Sequence, residues 1–119
     1  MALYASVAEL KVKNSSIELT HSDDDIEDLL DAASRIIDEK TKRDDDYFAD
    51  TDYYVTVPNG IKMATIYVAN YLYLILPNAG ITAKGLAGVS MTLEKNIDFE
   101  YRLHIMTKKY KNFYKGFTD

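Results

Sequence analysis

Hydrophobic residues recur at helical spacing in three long stretches of the chain, and one of these stretches is apolar on almost every side. Residues 61–76 contain only three plainly polar positions, Lys62, Thr65 and Asn70. A helix that is apolar nearly all round has to be covered by its own chain, by other subunits or by lipid. Lipid fits least well, because the run is shorter than the roughly 18–20 residues that a bilayer requires and polar residues interrupt it. The pattern therefore predicts a central helix that the rest of the chain, together with neighbouring chains, surrounds.

Two further long helices are predicted, one before and one after the central helix. Apolar residues follow Ser22 at helical spacing, so that Ser22 should cap a helix over residues 23–42. Acidic residues crowd the first turn of this helix and basic residues its end, and both placements suit the helix dipole. A last helix should begin near Asn96, where apolar residues recur at intervals of three and four. These residues are Phe99, Leu103, Met106, Tyr110 and Phe113.

The remaining segments predict a short leading helix and one or two short β segments. Ser6 and Glu9 have the spacing of a capping box, which starts the leading helix. Residues 53–57 are rich in strand formers and end at Pro58, with Asn59 a plausible cap for the central helix. Residues 89–93 alternate between apolar and polar, which is the period of a half-buried strand. We therefore expect a mainly α fold, a three-helix bundle plus a short N-terminal helix, in a single domain over residues 1–119.

Charge is distributed unevenly along the chain. Residues 1–52 hold six basic and fifteen acidic side chains, a balance of −9, whereas residues 53–119 have a balance of +4, which gives the net charge of −5. A chain with an acidic front and a basic back can meet copies of itself head to tail, although each half can also simply solvate its own face. The ten tyrosines supply the amphipathic contact area that is favoured at interfaces.

No stretch of the sequence carries a catalytic signature. The chain has no cysteine, and His21 and His104 are its only histidines, so a zinc cluster of the usual composition is not expected. Five aspartates within residues 44–52 suggest calcium, but the segment lacks the central glycine and the closing glutamate of a calcium loop. It is therefore interpreted as a solvated loop. We expect neither an enzyme nor a cofactor, and the absence of a secretory signal or a spanning helix predicts a cytoplasmic product.

Two alternatives remain open at this point. The last helix is basic and rich in tyrosine, which would suit a small nucleic-acid-binding regulator, although the overall acidity weakens that interpretation. The second alternative is a small helical enzyme or metal protein that uses the aspartate-rich loop.

The order of these features resembles the tailed-phage head–tail connector, or adaptor, proteins, which are small helical proteins that form a ring beneath the portal. Sequences of that family typically open with a tyrosine and a short helix. The next segment starts with acidic residues and contains a Leu-Leu pair, Ala-Ala-Ser-Arg and Ile-Asp. The matching residues here are Tyr4, Glu9, Leu10, Lys11, Asp24, Asp25, Leu29, Leu30, Ala32, Ala33, Ser34, Arg35, Ile37, Asp38, Pro58, Met63 and Ala64. One departure is the run of aspartates 44–46, which stands before Tyr47 and Phe48, where many relatives already place an aromatic residue.

The resemblance implies a structural, non-enzymatic virion protein. Its partners would be copies of itself in a ring, commonly twelve-fold, the portal protein, and a tail or head-completion protein. DNA would only pass through the channel, and no membrane would be involved. Assembly would take place in the host cytoplasm.

Two surfaces are candidates for subunit or portal contacts. Residues 85–93 could reach a neighbour and add a strand there, with Gly85, Val89, Met91 and Leu93 as the contact residues. The acidic second helix could meet the basic last helix across the subunit boundary. The residues of this charged contact would be Asp24, Asp28, Lys108, Lys109 and Lys111.

Overall fold

A computed structural model of the chain describes residues 3–19, 21–75 and 97–111. These residues form four α-helices: α1 (Val7–Lys13), α2 (Asp23–Thr41), α3 (Asn59–Ile75) and α4 (Ile97–Thr107). Short 3₁₀ turns lie at Ser15–Leu19, Tyr47–Ala49 and Lys108–Tyr110. The prediction of a mainly α fold with three long helices and a short leading one is confirmed.

The starts of α1 and α2 follow from local hydrogen bonds that the sequence predicts. The Ser6 hydroxyl accepts from the Glu9 amide at 3.1 Å, and the Ser6 amide donates to a Glu9 carboxylate oxygen at 2.9 Å. These two bonds complete the capping box. The Ser22 hydroxyl caps α2 by accepting from the Asp25 amide at 3.3 Å. The helix ends at Thr41, since Lys42 has the left-handed conformation with φ 57°.

The start of α3 differs from the prediction by two residues. The Pro58 carbonyl accepts a hydrogen bond from the Lys62 amide at 2.9 Å, so the helical bonding begins before Ile61. Asn59 is already the first residue of the helix, and its side-chain nitrogen lies 3.9 Å from the Met63 sulfur. The expected Asn59 cap is therefore wrong, because the preceding proline carbonyl takes the capping position.

The second long helix, α2, is the most enclosed element of the described structure. It makes the most extensive helix–helix contact with α3 and also touches α1 and α4. The two helices run antiparallel, because His21, just before α2, packs its ring 5.1 Å from that of Tyr73 near the end of α3. His21 is half-buried. Buried side chains of α2 are Ile26, Leu29, Leu30, Ala32, Ala33, Ser34, Ile36, Ile37, Asp38 and Thr41.

The central apolar helix, α3, is fully buried on one face and partly covered on its other sides by the residues described. Its buried residues are Ile61, Ala64, Thr65, Val68, Ala69 and Leu72. In contrast, Met63 is 55% exposed and Leu74 is 64% exposed. No helix in the three described ranges combines the length and apolarity required to cross a membrane. The expectation that neighbouring chains cover this helix stays a prediction.

Buried hydroxyl groups are satisfied inside their own helices. The hydroxyls of Ser34, Thr65 and Thr107 each donate to the carbonyl four residues earlier, at 2.8 Å. Such bonds remove the cost of burying an unpaired polar group. This explains how Thr65, one of the three polar residues of the apolar stretch, occupies a fully buried position.

Residues 53–57 do not form the β segment that their composition suggests. The amides of Tyr53 and Tyr54 both donate to the Asp50 carbonyl, at 3.1 and 3.0 Å, which makes a turn. Tyr53 stacks on Tyr47 with ring centroids 5.1 Å apart. Aromatic packing therefore replaces strand pairing here, and the described residues contain no strand. The predicted strand over residues 89–93 lies outside the described residues.

Candidate assembly site

A partly buried polar network joins three separate segments of the chain around Arg35. One terminal guanidinium nitrogen of Arg35 lies 2.9 Å from a carboxylate oxygen of Asp38. The other terminal nitrogen lies 2.8 Å from a carboxylate oxygen of Asp46. The Tyr4 hydroxyl donates to the second Asp38 oxygen. The Asp46 amide donates to Asp38 at 3.3 Å. The segment before α1, the helix α2 and the aspartate-rich loop are therefore held together by one carboxylate and one guanidinium.

Tyr4 makes further contacts that fix the start of the chain. Its amide donates to the Ser34 hydroxyl at 3.1 Å, and its hydroxyl accepts from the Phe48 amide at 3.4 Å. The Tyr4 and Phe48 rings meet edge to face, with centroids 5.6 Å apart. Tyr4 and Phe48 are both almost completely buried. The N-terminal tyrosine is thus a core residue rather than a contact for a partner.

Burial sets the protonation behaviour of this network. Desolvation raises the pKa of Asp38 above its usual range, although the Tyr4 hydrogen bond and the Arg35 charge oppose that rise. Burial, together with the hydrogen bond to Asp38, also raises the pKa of Tyr4, so its hydroxyl remains a neutral donor. Asp45 and Asp46 of the aspartate-rich loop both pair with Arg35. In the described part of the chain no group of side chains is suited to hold a metal ion.

Replacing Tyr4 with phenylalanine should lower the free energy of unfolding by about 1–3 kcal/mol. The variant keeps the buried ring but leaves one Asp38 oxygen without its donor. Urea unfolding followed by circular dichroism measures the change. Tyr101→Phe is the matched control, because Tyr101 is 64% exposed and should tolerate the loss of its hydroxyl. Equal stabilities of the two variants would show that the Tyr4 hydroxyl contributes nothing.

The predicted charged residues lie towards opposite ends of the subunit. Asp24 and Asp28 are exposed in the first turns of α2, whereas Lys108 and Lys109 are exposed just beyond α4. Arg43 lies just after the end of α2, and its side chain donates to the carbonyl of Tyr110 at 3.0 Å. Lys108 and Lys109, which directly precede Tyr110, are therefore near the end of α2. At 1.5 Å per residue, α2 separates the two charged groups by roughly 25 Å.

Two other predicted residues of the last helix lie close to this basic end. Lys111 is half-buried, and its ammonium nitrogen lies 3.5 Å from His104 Nδ1. His104 itself is exposed. Within the subunit, α2 and α4 are joined by an ion pair between Lys40 and Glu100 at 2.8 Å. The predicted contacts Gly85, Val89, Met91 and Leu93 lie outside the described residues.

An apolar groove runs along the outer face of α3, between α1 and α4. We call it the α3 groove; its volume is about 540 Å³. The groove is lined by Glu9, Val12, Lys13, Asn59, Lys62, Met63, Ile66, Tyr67, Asn70 and Met106. Its polar edges include the Glu9–Lys62 ion pair at 3.0 Å. No local signal in the sequence indicated this groove, because it forms only where three helices meet.

Comparison with known proteins identifies the class to which these features belong. A family model described as phage gp6-like head-tail connector protein matches residues 6–109. The chain belongs to this family. Neither the curated proteins nor the solved structures contain a significant match. The family resemblance inferred from the sequence is confirmed, and the chain is a structural connector of the phage virion, where such proteins associate with portal and tail proteins.

The polar network explains part of the sequence pattern that resembles head–tail connectors. Tyr4, Ser34, Arg35 and Asp38 are all among the residues that carry the resemblance, and all four lie in the network. Their contacts stabilise the subunit rather than presenting a surface. The four network residues are therefore not candidates for contacts with other proteins, whereas the exposed charges and the α3 groove are accessible. Sequence reasoning missed Asp46 as a network member, because nothing local distinguishes it from its acidic neighbours.

Proposed function

We propose that this connector forms a closed ring beneath the portal, commonly twelve-fold, that extends the DNA channel and docks head-completion or tail proteins. It assembles in the host cytoplasm and stays in the virion. The observation that carries the proposal is the placement of opposite charges at the two ends of α2. Because these surfaces differ, a contact between them is heterologous, and a heterologous contact forms a ring when the rotation that relates neighbouring subunits closes on itself.

The charged contact pairs the start of α2 in one subunit with the end of α4 in the next. Asp24 and Asp28 are exposed, as are Lys108 and Lys109, so each can reach a neighbour without rearrangement of the subunit. Complementary potentials speed encounter and set the register of two surfaces. The half-buried Lys111 adds to the positive potential of the same end.

A second contact would be made by residues 85–93. Val89, Met91 and Leu93 alternate with polar residues, so they would share one face of an extended segment. A strand of this kind can add to the sheet edge of a portal or to the same segment of a neighbour. Gly85 would allow close approach of the two backbones. This contact rests on the sequence pattern alone.

Reversing the charges of Lys108, Lys109 and Lys111 together to glutamate should strongly reduce incorporation of the connector into phage particles. Like charges would then face Asp24 and Asp28 of the neighbour and disfavour the contact. The measurement is electron microscopy of purified procapsids mixed with the variant, together with an immunoblot of the particles.

The matched rescue carries the reversed lysines together with Asp24, Glu27 and Asp28 changed to lysine. Every subunit then has both ends inverted, so head-to-tail complementarity is restored and incorporation should recover. Normal incorporation of the unrescued variant would disprove the charged contact. A rescue variant that folds but stays excluded would show that the lysines bind a different surface. Salt-sensitive binding of the wild-type protein to duplex DNA would instead favour the nucleic-acid alternative.

A further inference from the structure

We propose that Lys42 binds the acidic start of α2 in a second copy of the chain, beside Lys108 and Lys109 of its own subunit. This inference rests on the proposed head-to-tail contact and adds a residue to it. The side chain of Lys42 has an exposed charge, and its backbone has a conformation that glycine would adopt more readily.

The tertiary structure brings two basic segments of the chain together. Lys42 and Arg43 follow α2, whereas Lys108 and Lys109 follow α4. The Arg43 Nε atom donates to the Tyr110 carbonyl at 3.0 Å, although these two residues are 67 positions apart in the sequence. Lys42, Lys108 and Lys109 are all exposed. We call these three residues the basic surface.

The basic side chains at the end of α2 differ in the partners that they have inside the subunit. The Lys40 ammonium group pairs with Glu100 at 2.8 Å. The Arg43 guanidinium lies over the Tyr47 ring, 4.5 Å from its centroid. Lys42, in contrast, forms no ion pair within residues 3–19, 21–75 and 97–111. Its charge is therefore available to a second molecule.

The backbone of Lys42 explains the turn after α2 but not the presence of a lysine. Lys42 has the left-handed conformation, with φ 57° and ψ 40°, and the Arg43 amide then donates to the Asp38 carbonyl at 3.0 Å. Glycine adopts this conformation without steric cost, and such strain often lies at functional positions. Asp46 has a similar φ of 63°, but its carboxylate pairs with Arg35, which accounts for that residue type.

The start of α2 supplies the anionic partner. Asp24 and Asp28 are exposed and form no ion pair within the described parts of the chain, whereas Asp23 is held by Lys11 at 2.7 Å. Asp24 and Lys42 are 18 residues apart, which is roughly 27 Å along the helix. One subunit cannot bring these charges together, so the partner of Lys42 has to be a second copy.

A competition for procapsids tests the charge of Lys42. Equal amounts of wild-type connector and one variant are mixed with purified procapsids, and mass spectrometry measures their ratio in the particles. Lys42→Gln removes the charge and should be incorporated about threefold less than wild type, as expected for the loss of one exposed ion pair. Lys42→Arg keeps the charge and should be incorporated as well as wild type.

Thermal unfolding of the isolated variants separates this role from a structural one. Lys42→Gly and Lys42→Gln both lack the charge, but only glycine relieves the left-handed strain. We expect Lys42→Gly to melt about 2–6 °C higher than Lys42→Gln and yet to be incorporated equally poorly. If poor incorporation instead followed low stability across the variants, Lys42 would be a structural helix cap and the proposal would fail.

Crosslinking identifies the partner surface. The chain has no cysteine, so the double variant Asp24→Cys, Lys42→Cys carries two unique thiols. A short bis-maleimide cannot join them within one subunit, because α2 holds them roughly 27 Å apart. Assembled particles should therefore give a ladder of crosslinked dimers, trimers and larger species. The two single variants are the controls and should remain monomeric on the gel.

The outcomes distinguish this inference from the proposed ring contact. Equal incorporation of Lys42→Gln and Lys42→Arg would exclude Lys42 from the contact. If the Lys108, Lys109 and Lys111 reversal still prevented incorporation, the ring contact itself would stand. Poor incorporation of Lys42→Gln without a crosslinked ladder would overturn the second copy as partner and assign Lys42 to another anionic surface. Dimers of Lys42→Cys alone would overturn the head-to-tail arrangement.

Discussion

Replacing Arg35 with alanine should lower the free energy of unfolding by about 3–5 kcal/mol. The side chain of Arg35 is only 17% exposed, and it neutralises the buried Asp38 at 2.9 Å and Asp46 at 2.8 Å. Without the guanidinium, Asp38 keeps a desolvated carboxyl group, and Asp45 and Asp46 of the aspartate-rich loop lose their pairing with the same positive charge. The expected loss is large because an unpaired buried charge costs far more than an exposed ion pair contributes.

Urea unfolding measures this loss, and Arg102→Ala is its control. Arg102 lies 3.6 Å from Asp98 in an exposed pair on α4, so its removal should change the free energy by no more than about 0.5–1 kcal/mol. A similar small change for both variants would contradict the central role of Arg35. If the slope of the unfolding free energy against urea concentration is the same for Arg35→Ala as for the wild-type protein, the native state of the variant keeps its compactness.

Replacing Phe48 with alanine should lower the free energy of unfolding by about 3–5 kcal/mol. Phe48 is fully buried although it lies in the aspartate-rich loop. Its ring packs against those of Tyr4, Tyr54 and Tyr110, with centroids 5.6, 6.0 and 5.7 Å away. Truncation leaves a cavity among these rings and loses the burial of a large aromatic side chain. Thermal or urea unfolding would measure the effect.

Tyr53→Ala is the matched control for Phe48→Ala, because it removes an aromatic ring from a neighbouring loop position. Tyr53 is 64% exposed, and within the described residues its ring stacks on one other ring, that of Tyr47. Its loss should cost about 0.5–1.5 kcal/mol, the typical value of one aromatic pair. Comparable costs for the two substitutions would mean that Phe48 is not the anchor of the loop.

These expected effects divide the connector into a scaffold and an assembly surface. Tyr4, Arg35, Asp38 and Phe48 hold the N-terminal segment and the loop against α2, and substitutions there should act on stability. The exposed carboxylates of α2 and the lysines after α4 contribute little to the described core. Substitutions at those exposed residues should act on assembly. Measuring stability and incorporation for each variant therefore separates the two roles.

Local patterns in the sequence were enough to predict the helices. The Ser6 and Ser22 caps, the apolar periodicity and the Pro58 boundary place the starts of all four helices within two residues of those described. The last α-helix is shorter than its apolar stripe predicts, since the stripe continues to Phe113 whereas α4 ends at Thr107. These signals work because a helix is built from hydrogen bonds between residues close in sequence, and its caps use the same neighbours. The family resemblance rests on the same patterns.

The role of the aspartate-rich loop and the form of the candidate site were decided only in three dimensions. The sequence suggested a solvated loop, yet Phe48 is buried and Asp46 joins a network with Tyr4 and Asp38, which are 34 residues apart. The suggested strand at residues 53–57 is a turn, because aromatic stacking on Tyr47 competes with strand pairing. The α3 groove likewise depends on how three helices pack. Periodicity reports which face of an element is apolar, whereas packing between distant segments determines what that face meets.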